Sequence, residues 1–314
     1  MEIWWIFLGI GLFLLLLTAL TAFVCYRLAF YADRKKDVPR GEYPMPRGKS
    51  YDPYREQLLT IMKRTETIPH EDVSVTSFDG LTLRGKYYEH IPGAPVELMF
   101  PGYRGDARLD LCGAVERCFA VGHSALVVDQ RCCGESDGKV ITFGVRESRD
   151  CRTWIDFAIQ KFGSEVKIIL AGMSMGATTV LIAAGGELPP NVVGVLADCG
   201  FTSAREIICK VMKDLKLPVG LLYPLVRLGA RLYGGFSLES VSPIAVLADC
   251  KIPVILFHGE DDNFVPCEMS RKNYELCAAP KKLVTIPGAG HGLCYMVDHE
   301  RYLKELKEFW EILP

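Results

Sequence analysis

The chain has 314 residues, 36 Lys and Arg against 38 Asp and Glu, and a formal net charge of -2. With 49% hydrophobic and 24% charged residues it has a globular balance, and no Lys/Arg block interleaved with aromatics offers nucleic acid an electrostatic footprint. The positive mean hydropathy of +0.16 points to one strongly apolar stretch added to a soluble body.

That stretch is Ile3 to Tyr26, which contains no charged residue. At 1.5 Å per residue it would reach about 36 Å, enough to cross a bilayer as one helix with some tilt. A cleaved leader would carry a basic start, a shorter apolar run and small residues at its end, features this stretch lacks. Trp4, Trp5 and Tyr26 suit the two interfaces, and Arg27, Arg34, Lys35, Lys36 and Arg40 all follow the span. The positive-inside rule then predicts a single-pass membrane protein with its C-terminal body in the cytoplasm. The twelve cysteines show neither paired CxxC motifs nor a disulfide spacing, which suits reduced thiols and gives no structural zinc site.

Residues 27–69 read as a juxtamembrane linker, rich in Arg, Lys, Pro and Tyr, with a short helix between about Tyr54 and Thr67. VSVTSF and LTLRGKYY then alternate around Asp79-Gly80, the pattern of a β-hairpin. Six short apolar runs follow, VELMF, ALVVD, KIILAG, VVGVLAD, PVILF and KLVTIP, separated by helical stretches near 109–121, 146–162, 175–184, 268–277 and 299–312. Such βαβ alternation predicts an α/β fold with a mostly parallel sheet covered by helices on both faces. Residues 202–247 interrupt the alternation as a small helical cap, either packed at the sheet edge or lying over the active site as a lid.

The sharpest chemical signal is Gly172-Met173-Ser174-Met175-Gly176, directly after the strand KIILA and before a helix-prone segment. A tight strand-to-helix turn strains its middle residue, and glycines on either side remove Cβ atoms that would clash. Ser174 becomes a candidate nucleophile, and the Met175 N–H at the helix start a candidate oxyanion donor. A serine hydroxyl needs a base within reach. Asp261 and Asp262 follow the strand PVILF, and His291 follows KLVTIP in a glycine-flanked loop. In a parallel sheet these strand ends collect on one edge, so Ser174, an aspartate and His291 can converge; the residue chemistry alone does not separate Asp261 from Asp262. His258 reads as a structural residue at a strand end. A second oxyanion donor is expected from the Tyr103 N–H in Phe100-Pro101-Gly102-Tyr103-Arg104-Gly105.

On these residues the sequence resembles the α/β-hydrolase superfamily, in its monoacylglycerol-lipase and serine-aminopeptidase-like branch, over residues 70–314. The resemblance implies an eight-stranded sheet in residues 70–314, and the apolar stretch before it is expected to act as a membrane anchor at 1–26. The branch's HG turn stands here as PGYRG, with Pro101 in place of a common histidine; its D-x-R-x-x-G-x-S turn stands as Asp129 to Ser136 and reads as structural. Its HGxxDxxVP pattern, ending here in Val265-Pro266, selects Asp262 as the acid, and its GxGH pattern matches Gly288 to His291. The implied activity is ester hydrolysis on an acyl or lipid-like substrate without metal or organic cofactor. A peptidase using the same triad is the alternative, and a non-catalytic membrane-bound binding module is a third.

Overall fold

In a computed structural model of the chain, residues 2–32, 43, 45–46, 48–105 and 107–311 are described. Arg34, Lys35, Lys36 and Arg40, which carry most of the charge asymmetry, lie outside them.

The apolar N-terminus forms helix α1, Glu2–Ala29, long and apolar enough to be a candidate membrane span. It does not end at Tyr26, where a linker was expected. The first five turns are exposed, whereas Ala22, Tyr26, Phe30 and Ala32 are buried against the rest of the chain. Phe30 stands edge-on to both Phe143 and Phe236, and Tyr31 forms a β-bridge with Val140. A 3-10 turn, Lys49–Tyr54, leads into α2, Arg55–Thr67, whose Leu58, Ile61 and Met62 face inward against Cys112.

Eight strands make one sheet: β1 (Glu71–Thr76), β2 (Thr82–Tyr88), β3 (Val96–Phe100), β4 (Ser124–Val128), β5 (Ile168–Met173), β6 (Val192–Asp198), β7 (Val254–Gly259) and β8 (Lys281–Ile286). Their spatial order is β1-β2-β4-β3-β5-β6-β7-β8. The hairpin and the β2–β4 pair are antiparallel, and all later pairs are parallel. The central strands are buried on both faces, which explains their unbroken apolar runs. Successive side chains alternate between two cores: Leu98, Leu126, Leu170 and Leu256 on one face, Met99, Val127, Ala171 and Phe257 on the other. The first face is covered by α5 (Glu147–Phe162) and α6 (Met175–Ala184), the second by α4 (Ala114–Ala120) and α12 (His299–Trp310).

The helix expected near 109–121 is broken into α3 (Ala107–Asp110) and α4. Thr65 Oγ1 donates to the Cys112 carbonyl at 2.9 Å, so docking of α2 draws that carbonyl toward the side. Between β6 and β7 lie α7 (Ala204–Asp214), α8 (Val219–Leu232) and the short α9 (Pro243–Val246). Here α8 packs along the end of α1, with Gly229 so close to Ala22 that a Cβ would stand 2.4 Å from its carbonyl oxygen. Tyr233 Oη donates to the Ala19 carbonyl at 3.0 Å. The helices α10 (Cys267–Leu276) and α11 (Cys294–Val297) complete the body.

Candidate active site

Ser174 sits between β5 and α6 at φ 55° and ψ -114°, a backbone conformation that non-glycine residues rarely hold. Its flanking glycines have a direct steric reason. A Cβ on Gly172 would lie 2.2 Å from the Gly176 carbonyl carbon, and one on Gly176 would lie 2.0 Å from the Phe100 carbonyl oxygen. The turn is also held by the Ser174 N–H, which donates to the Asp198 carbonyl at 2.8 Å. The first helical hydrogen bond runs from Thr178 N–H to the Ser174 carbonyl, leaving the N–H of Met175 ahead of the ladder at the positive end of α6.

His291, in the loop after β8, brings Nε2 to 3.0 Å from Ser174 Oγ and Nδ1 to 2.7 Å from Asp262 Oδ2. An ionised aspartate accepts only, so Nδ1 carries the proton and Nε2 is left to accept from the serine hydroxyl. The other oxygen of Asp262 accepts from the Phe264 and Val265 N–H groups at 2.9 and 2.8 Å, which fixes the carboxylate plane. Burial pushes the Asp262 carboxyl up. Hydrogen bonds from His258 and His291 outweigh that and hold it well below the usual carboxylate range. Asp261 is exposed, its N–H donating to the Ala289 carbonyl, so only Asp262 of the pair joins Ser174 and His291.

His258 is fully buried. Its Nε2 donates to the Val265 carbonyl at 2.8 Å and also lies 3.3 Å from Asp262 Oδ2, while its Nδ1 meets Ser270 Oγ at 2.6 Å. It braces the aspartate and does not reach Ser174. The Asp129 to Ser136 turn is likewise architectural: Arg131 is buried between Asp150, at 2.6 Å, and Asp79, at 3.0 Å.

The loop after β3 passes directly beside the serine, since a Cβ on Gly102 would lie 3.4 Å from Ser174 Cβ. Gln130 Nε2 donates to the Pro101 carbonyl at 2.6 Å, and the Gly102 N–H donates to Asp110 Oδ2 at 2.7 Å. A Cβ on Gly105 would collide with that same oxygen at 1.8 Å, so the turn closes around the Asp110 carboxylate. Tyr103 follows Gly102 in this loop and lines the same cavity as Ser174.

Sequence reasoning missed two of these supports. Asp110 lies eight residues downstream in what reads as a helix, and its acidic side chain after a glycine-bearing turn was the available signal. Tyr51 donates from Oη to the His291 carbonyl at 2.9 Å across 240 positions, for which no local signal exists. A cavity of about 230 Å³ opens at Ser174 and His291, bounded by Tyr51, Leu58, Leu109, Phe264 and Met296 among others. Among the described residues that line it, none comes from 202–247. The cap helices share one core with Met175, Val265 and the ring of Tyr103 and pack against the end of α1, and the segment leading into α2 borders the cavity.

One grouping of described residues could reach a metal ion: Cys199, Asp262 and His291 hold ligand atoms within 4.8 Å of one another. Asp262 and His291 are already bonded to each other, and burial raises the Cys199 thiol well above its ordinary range, which makes it a poor ligand.

Residues 100–305 match the alpha/beta hydrolase family profile. Protein YqkD of Bacillus subtilis (strain 168) is 30% identical over 190 residues, a match covering 60% of this chain and 62% of that protein, less than two thirds of its length. A thiohydrolase of Arthrinium phaeospermum, apmlB, is 35% identical over 132 residues, 41% of this chain and 42% of the relative. Among solved structures, the Pyrococcus furiosus esterase Pf2001 shares the fold at a TM-score of 0.65 and 23% identity, covering 79% of this chain and 92% of its own. With this sheet order, the serine turn between β5 and α6, and a match over residues 100–305, the chain belongs to the alpha/beta hydrolase family.

Proposed function

We propose that the protein is a membrane-anchored serine hydrolase that cleaves carboxylic esters, and thioesters by the same chemistry, through an acyl-enzyme. The observation that carries this reading is the continuous contact Asp262–His291–Ser174, at 2.7 and 3.0 Å, on a strained turn. Ser174 Oγ attacks the acyl carbon while its proton passes to His291 Nε2; Asp262 steadies the imidazolium that forms. The N–H groups of Met175 and Tyr103 stabilise the oxyanion. The imidazolium then protonates the departing alcohol or thiol, and His291 activates a water that releases the acid. No step calls for a metal or organic cofactor.

Leu58, Leu109, Phe264, Leu293 and Met296 around the cavity favour an apolar acyl chain, and the apolar α1, read as a membrane span, supports a location where such substrates gather. The thiohydrolase relative supports thioesters as substrates. Residues 1–26 act as the single-pass anchor, and residues 70–314 form the hydrolase domain. A cytoplasmic position for that domain is supported by Arg27 and the basic residues after it, through the positive-inside rule, and suits free thiols such as Cys132.

The test is hydrolysis of p-nitrophenyl esters from two to sixteen carbons by the full chain in lipid nanodiscs, beside Ser174→Ala. A Ser174-dependent optimum at longer chains is expected. Turnover that survives the substitution would discard the mechanism.

A further inference from the structure

The far end of the serine-facing loop is held by the apolar helix. Pro101 and Gly102 are tied down inside the body, by Gln130 and Asp110. Tyr103 and Arg104 are tied elsewhere. Tyr103 Oη donates to the Ala29 carbonyl at 2.8 Å, and Arg104 Nη2 donates to the carbonyls of Leu28 and Tyr31, both at 2.9 Å. The carbonyls of Leu28 and Ala29 belong to the C-terminal end of α1, where a helix runs out of its own donors and presents the negative end of its dipole, and that of Tyr31 lies two residues beyond it. A guanidinium is well matched to that place. The Tyr103 ring also lies 5.2 Å from Phe143, which in turn meets Phe30 at 5.8 Å, so the aromatic packing follows the same route as the hydrogen bonds.

Arg104 itself has φ 54°, in the left-handed region that residues with a Cβ rarely adopt. Such a conformation persists where its surroundings over-determine it, and here the side chain's two bonds to the helix end do so. We infer that Arg104 is a positioning residue: by capping the end of α1 it sets the path of the Gly102-Tyr103 backbone beside Ser174, so the anchor helix is part of the catalytic apparatus. This rests on the oxyanion role proposed for the Tyr103 N–H. Losing one oxyanion donor outright costs about 10²–10³-fold in kcat, and a loop let go at one of its four fixings costs less, about tenfold.

The test uses the full chain in phosphatidylcholine nanodiscs, with kcat expressed per active site titrated by fluorophosphonate. Arg104→Ala should lose about tenfold in kcat per titrated site with KM changed less than twofold, and Arg104→Lys should regain most of it. Tyr233→Phe removes the bond from α8 to the Ala19 carbonyl without touching the loop, and should leave kcat unchanged. If Arg104→Ala does not fold, Tyr103→Phe carries the test, with an expected loss of about threefold in kcat. A purely structural role would lower the titrated fraction and the melting temperature and leave kcat per site intact; that result overturns the inference. An equal fall in Tyr233→Phe also overturns it. Absence of Ser174-dependent turnover in the unaltered chain overturns the ester reading and this one together, whereas unchanged kcat in Arg104→Ala overturns this one alone.

Discussion

Replacing Gly176 with alanine asks how closely the nucleophile turn is pressed against the loop after β3. The added methyl would lie 2.0 Å from the Phe100 carbonyl oxygen, 2.6 Å from its carbon and 2.7 Å from the Pro101 oxygen. Ordinary contacts are near 3.5 Å, so the two segments must separate by more than 1 Å, and no flexible side chain can absorb the shift because all three atoms are backbone. The segment displaced is the start of the loop beside Ser174. A misplacement of that size costs about 10²-fold in rate, and overpacking costs about 1–3 kcal/mol of stability, a melting temperature lower by about 3–10 °C. Gly220, in the first turn of α8, has nothing within 4 Å of its would-be Cβ; Gly220→Ala should keep full kcat and gain about 0.5–1 kcal/mol. Ester turnover and thermal melting on both variants make the comparison. A Gly176→Ala enzyme with kcat within threefold of the parent would refute the steric reasoning.

Two further outcomes are expected. Asp262→Asn keeps the shape of the side chain but permits the wrong His291 tautomer, and should lower kcat by about 10⁴-fold with the fold intact by circular dichroism; a loss under tenfold would contradict its assigned role. The buried Glu97 pairs with Arg117 at 2.6 Å and His123 at 2.8 Å; burial raises its carboxyl, but the Arg117 guanidinium and the hydrogen bond with His123 outweigh burial and bring it down to about 2 from 4.5. A depressed carboxyl stabilises the fold above its unfolded value, so about 3 kcal/mol is fully present above about pH 4.5 and is lost as pH falls toward 2. Urea unfolding at pH 5, 4 and 3 should show that slope flattened in Glu97→Gln, on top of a lower stability at every pH from the unpaired Arg117; an unchanged slope would show that other carboxylates govern acid unfolding.

The sheet was legible because both of its cores are written in local pattern. Each central strand is a short apolar run, and each covering helix follows at its own period, so β3 through β8 could be placed to within a residue or two. Ser174 was legible for the same reason, its motif being bounded by a readable strand and helix. Residue chemistry left Asp261 and Asp262 open, because what divides them is the turn in which Asp262 accepts from the Phe264 and Val265 N–H groups while Asp261 faces solvent. The break at Cys112 and the bond from Tyr51 to His291 are set by where α2 and its preceding turn dock, a tertiary choice with no periodic trace. The packing of 202–247 was hidden on similar ground: an amphipathic face needs a partner, and sequence does not say that the partner of α8 is the buried end of α1.

Under the proposed membrane anchoring, the seating of Phe30, completely enclosed between Phe143 and Phe236, bears on how the protein could be released. Removing one buried phenylalanine side chain costs about 3–5 kcal/mol, a large part of a typical domain's stability, and cutting after residue 32 would withdraw Ala22, Tyr26 and Ala32 with it. A protease that severed the helix would not shed a soluble enzyme. It would pull a plug from the body, open an apolar hole beside α8, and take the carbonyls of Leu28 and Ala29 from Arg104 and Tyr103. Release from the bilayer and loss of activity would then be one event, and any soluble form must keep the last two turns of α1 and cover their outer face.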